Sequence, residues 1–213
     1  MLPAPVHARV APPAGSGELD ALSLLVWLAA QVGAIALCSA NVRFTAIWPE
    51  QPRGATLAIL VAVQLIMLSF AFPRLLRSVR SSLLIVASAL PMIALAGKFS
   101  QSPLRVEAGA WLYLVAWTLA LFSWAAWAKT PRRAGLAVAI GVMITLGWPA
   151  LAYCHAEFGR SAGSLGLKLH PVHAIFAIKS FHFPPPASWL LLTVICGSGA
   201  IARGIDRLRR IRP

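Results

Sequence analysis

Long uncharged apolar runs, rather than alternating ones, organise this chain. Crossing about 30 Å of hydrocarbon takes roughly 20 helical residues at about 1.5 Å each. Six stretches meet or approach that length: 22–40, 55–72, 81–97, 108–128, 134–153 and 183–202. None shows the period-two polarity of a barrel strand, and in lipid only helices and closed barrels satisfy their own backbone hydrogen bonds. The pattern predicts an all-α integral membrane protein, a bundle of six transmembrane helices. The third run is the shortest and carries Pro91, the second stops at Pro73-Arg74, and the sixth opens with Pro184-Pro185-Pro186. Gln31 and Gln64 are the strongest polar groups inside the runs, so a hydrogen bond between their helices is expected. Ala137, Gly141 and Thr145 form a small-residue ridge suited to close packing.

Composition narrows the environment further. Of 213 residues, 59% are hydrophobic and only 12% charged, about half the charged fraction of a soluble domain. The net charge of +13 would suggest nucleic acid in a soluble protein. Here it suggests loops facing anionic lipid, and no nucleic-acid partner is expected. Six spans place both termini on one side. That side collects Arg9, Arg74, Arg77, Arg80, Lys129, Arg132, Arg133, Arg203, Arg207, Arg209, Arg210 and Arg212. The other side holds Arg43, Arg53, Lys98, Arg105, Arg160, Lys168 and Lys179. The richer side faces the cytoplasm by the positive-inside rule, which implies an inner-membrane protein with both termini inside. Trp27, Trp124 and Trp127 then fall toward the inner interface, and Trp48, Trp111, Trp148 and Trp189 toward the outer one.

Residues 1–21, with four prolines and acidic Glu18 and Asp20, read as a disordered cytoplasmic arm with no signal-peptide pattern. Residues 22–202 form the membrane domain and 203–213 a basic tail; no internal repeat marks a second domain. Arg74, Arg77 and Arg80 recur every third residue, as if extending the second helix along the inner surface. Arg203, Arg207 and Arg210 share one face of the tail, opposite Ile205, Leu208 and Ile211. Both faces suit anionic headgroups or a docking cytoplasmic subunit.

The longest connection, 154–182, is outside. Loops of that length are usually functional or disordered. Its apolar content predicts a short helix over 172–181, lying on or dipping into the outer leaflet. His155, Glu157, His170, His173 and His182 gather in or beside it and make the candidate metal set, although Pro171 interrupts the local geometry and no zinc-site spacing recurs. Haem is not expected, because the first four spans contain no histidine to serve as an axial ligand. Cys38 and Cys154 both fall near the outer surface, where a disulfide is permitted. Cys154 and His155 are adjacent, so on a helix they point about 100° apart and make a poor nucleophile–base pair. Gly197-Ser198-Gly199 suits a helix interface better than a nucleophile.

No Asp, Glu, Lys or Arg occupies a span core, which disfavours a proton-coupled pump and a charged selectivity ring. No nucleotide-binding loop occurs, so any ATP use belongs to another chain. Six helices, basic inner loops and an apolar segment before the last helix resemble, in topology alone, the membrane subunit of an ABC-2-type exporter. The resemblance covers the whole chain, rests on no motif, and implies a separate ATPase docking on the inner surface. The loop between the second and third helices departs from that pattern in having no acidic coupling segment. The leading expectation is a non-catalytic, permease-like or accessory subunit of a multi-component transporter, with no cofactor. The alternatives are a membrane enzyme or metal/redox protein using the outer histidines, and a lipid-binding assembly factor.

Overall fold

The computed structural model describes residues 21–43, 55–76, 78–147 and 171–211. They form α1 (Ala21–Arg43), α2 (Ala55–Leu75), α3 (Val79–Ser100), α4 (Leu104–Ala125), α5 (Pro131–Val142), α6 (Pro171–Lys179) and α7 (Pro186–Ile211). No strand occurs among the described residues. α1 to α4 and α7 are each long and apolar enough to cross a membrane. The chain is therefore all-helical and multi-pass. The remaining expected span, 134–153, is represented by the 12 residues of α5 and the 5 of a π-helical turn, Met143–Gly147. Its last six residues lie outside the described residues, as does the 1–20 stretch of the N-terminal arm.

Capping chemistry sets several boundaries that hydropathy misses. Ser78 is extended, and its hydroxyl accepts the Ser81 N–H at 3.1 Å, which starts α3 two residues before the apolar run. Arg74 consequently closes α2 and Arg80 opens α3, so the arginine run is a corner between two helices. The expected continuation of the second helix is corrected on this point: an N-cap overrides the three-residue periodicity. At its far end α3 stops where Gln101 turns left-handed (φ 53°), with the Gln101 and Ser102 N–H groups bonded to the Lys98 and Gly97 carbonyls. α6 ends the same way at Phe181 (φ 59°), with the Phe181 and His182 N–H groups on the Ile178 and Ala177 carbonyls. Pro91 lies on the exposed side of α3, and the helix runs through it.

α2 is the hub, with α1, α3, α4, α5 and α6 all packed against it. The Gln64 amide on α2 donates to Gln31 Oε1 on α1 at 2.6 Å, and neither side chain is exposed. Gln31 in turn donates to the Trp27 carbonyl at 3.3 Å. Trp27 is itself fully buried and donates to Ser88 Oγ on α3 at 3.0 Å, so it anchors the core rather than the headgroup layer. The α5 ridge faces inward as expected. Ala137, Gly141 and Thr145 are buried, and a Cβ at Gly141 would come within 3.3 Å of the Ser69 carbonyl of α2. The predicted short helix exists as α6, with Ala174 and Ile178 buried; it packs on α2 and touches α7.

α4 and α7 run parallel. Gly109, early in α4, leaves room for Phe183 and Pro184 just before α7. Further along, the Tyr113 ring meets the Trp189 ring edge-on at 5.6 Å. Trp124 Nε1 donates to the Ile195 carbonyl at 3.0 Å, and a Cβ at Gly199 would strike Ser123. Residue numbers rise together on both helices.

Replacing Gln64 with Leu strands the Gln31 carbonyl without a donor and costs about 1–2 kcal/mol. The Gln31→Leu/Gln64→Leu double variant should lose less than the sum of the singles. Reversible unfolding in mixed micelles measures both.

Candidate functional site at the basic end of the bundle

Most cationic side chains of the described residues lie at one end, where three corners of the fold meet, while Lys98, Arg105 and Lys179 lie at the other. α2 ends and α3 begins at the Arg74/Arg80 corner, where both arginines are exposed. α4 turns into α5 through Lys129 and Thr130. Thr130 caps α5 through its hydroxyl on the Arg133 N–H, and Pro131 follows as the first helical residue. α7 passes its last apolar turns and continues to Ile211 as a polar extension.

One ion pair joins the second and third of these corners. Arg133 Nη1 donates to Asp206 Oδ2 at 3.0 Å, from side chains 35% and 22% exposed. The same guanidinium lies 5.3 Å above the Trp127 ring, and Trp127 meets Trp124 edge-on at 5.7 Å. The chain from Trp124 through Arg133 to Asp206 thus clamps the α7 extension onto the α4–α5 turn. Arg203 is half-buried and Arg207 exposed on that extension. Of the sequence-predicted docking set, Arg74, Arg80, Arg203 and Arg207 lie at this end of their helices. Arg77 lies outside the described residues, as does the side chain of Arg210.

Sequence reasoning missed Asp206 and placed Trp127 only at the inner interface, without its contact to Arg133. The available signal was that Asp206 is the only acidic residue of the 203–213 tail.

Two voids belong to this half of the molecule. An open groove of about 990 Å³ separates the end of α2 from the start of α5, with Arg74 and Lys129 among its lining residues. A smaller cavity of about 200 Å³ lies where α2, α4, α5 and α7 meet, walled by Phe72, Trp117, Trp124, Ile144, Leu191 and Ile195. Trp117 on its wall keeps a buried indole N–H without a partner among the described residues. The cavity's one hydroxyl, Ser198, donates to the Ile195 carbonyl of its own helix. Ser198 and Gly199 therefore serve helix packing.

For the outer histidine set, His155, Glu157 and His170 lie outside the described residues, and so does the His173 side chain, whose backbone is in α6. His182 is exposed in the turn after α6. Among the described residues no three His, Cys, Asp or Glu side chains gather as a metal site. Cys38 is a buried free thiol and Cys196 an exposed one; Cys154 lies outside the described residues.

Fold and charge together define an all-helical, multi-pass membrane protein whose cations crowd one end of the bundle. No protein-family model matches the chain, and neither does a curated protein or a solved structure.

The Arg133–Asp206 pair is part-exposed, so its worth is modest. A double-mutant cycle with Arg133→Gln and Asp206→Asn should return a coupling of up to about 1 kcal/mol. Trp127→Leu should remove a further 0.5–1 kcal/mol or so.

Proposed function

We propose that this chain is a non-catalytic inner-membrane subunit of a multi-component transporter, permease-like or accessory, whose basic end docks a separate cytoplasmic ATPase. The observation that carries the reading is the α7 extension. This helix continues past its apolar turns into a basic segment, keeps Arg203 and Arg207 at the same end of the bundle as Arg74 and Arg80, and is clamped by Arg133–Asp206. An arm held in place by an ion pair and a cation–π contact suits a docking surface better than a loose headgroup tether does.

Six crossings are part of the proposal. Two adjacent parallel helices must be joined by an odd number of crossings. The α4–α7 alignment therefore supports α5, its π-helical turn and the residues after it as a complete fifth span. With α7 last, both termini lie in the cytoplasm. α6 and the Pro184-Pro185-Pro186 turn form a re-entrant element on the opposite side, since Phe183 and Pro184 reach the level of Gly109 inside α4. The absence of charge from the span cores also favours a partner as the energy source, and the ABC-2-like arrangement of spans fits that division of labour.

Affinity purification from native membranes, followed by mass spectrometry, tests the reading. An ATPase chain should co-elute at near-equal stoichiometry and fall away in an Arg203→Gln/Arg207→Gln variant. A chain that elutes alone with stoichiometric metal, lost on His170→Ala/His173→Ala substitution, would overturn it in favour of a metal site.

A further inference from the structure

We propose that the open groove between the end of α2 and the start of α5 binds one anionic phospholipid of the adjacent leaflet. This site does not depend on the transporter reading. Its case rests on the order of side chains along the two walls. On α2, Phe70 lies one helical turn before Arg74 and on the same face. On α5, Val138 lies one turn inside Ala134, and Lys129 stands just outside the helix start. Both walls thus run from apolar at depth to cationic at the bundle end. A phospholipid has the same gradient, from acyl chains to phosphate.

The volume, about 990 Å³, lies at the upper end of the range for ligand pockets, and the groove is open to the surface, as a lipid site must be. Phe70 is 49% exposed, an apolar ring left for a chain to cover. Arg74 and Lys129 are exposed, and neither has an acidic partner among the described residues, where Asp206 is taken by Arg133. A guanidinium and an ammonium on opposite walls can share one phosphate, the arginine through two parallel N–H bonds. The positive character comes from these side chains, because Thr130 already occupies the first turn of α5.

Purified protein in zwitterionic detergent should be titrated with phosphatidylglycerol and, separately, phosphatidylcholine, reading the thermal midpoint and native mass spectra. Phosphatidylglycerol should bind saturably, one per chain, with an apparent Kd at least tenfold below that of phosphatidylcholine. Arg74→Gln/Lys129→Gln should weaken it at least tenfold. Arg132→Gln, which removes a nearby exposed charge outside the groove, should change it less than twofold. Gly135 lines the groove, and a Cβ there meets nothing within 4 Å. Gly135→Phe should therefore fill the groove and abolish binding with every charge intact, so the proposal stays testable even if the charge variant fails to fold. Three results would each overturn the site: equal binding of both lipids, equal losses in Arg132→Gln and the groove variants, or soluble glycerol phosphate binding as tightly as the lipid.

Discussion

A polar group carried into hydrocarbon finds no solvent partner, and that constraint pairs many of the polar side chains inside this bundle, with Tyr113 Oη, Trp117 Nε1 and Ser188 Oγ left unpaired among the described residues. Gln31 and Gln64 meet each other across α1 and α2. The hydroxyls of Ser69, Thr118, Ser123 and Thr145 donate to carbonyls three or four residues earlier on their own helices. Trp27 and Trp124 reach across helix boundaries to Ser88 and to the Ile195 carbonyl. These bonds tie α1 to α2, α1 to α3 and α4 to α7, and α2 and α4 are the most enclosed spans. Small residues do the rest, because Gly109, Gly141 and Gly199 let backbones approach where a side chain would separate them.

The parts of the fold legible in the sequence were those that depend on transfer energy alone. Uninterrupted apolar runs located α1 to α4 and α7, and an isolated amide in each of two neighbouring runs was enough to pair Gln31 with Gln64. The inward ridge of α5 and the existence of α6 were also readable from spacing. Features that depend on single local bonds were not. Nothing in hydropathy distinguishes Ser78 from other serines, yet its hydroxyl turned a supposed helix extension into a corner. Trp27 looked interfacial because indoles favour the headgroup layer, but a serine on α3 offered it a buried partner. Asp206 and Arg133 stand 73 positions apart, beyond the reach of any local pattern. The basic docking set was visible as residue types; its convergence needed the corners of the fold. The outer histidine set falls largely outside the described residues.

Charge and packing divide the molecule into an apolar body and a cationic end. The body presents broad hydrophobic faces outward, such as Leu190, Val194 and Ile201 on α7, which is natural for helices bathed in acyl chains. At the cationic end, the Arg133 clamp and the α2–α3 corner hold their arginines on short, capped structure rather than on long loops. Two uses of such an end are compatible: a lipid seated between α2 and α5, and a protein partner over the α7 extension.

On the proposed arrangement the basic corners share one side of the membrane, and α5 with the residues after it crosses to the other. Reporter fusions placed after Arg133 and after Lys168 measure that most directly. The account predicts a cytoplasmic signal for the first and an external signal for the second. Signals from the same side would contradict it, because a helix parallel to α4 could then not follow from a fifth crossing.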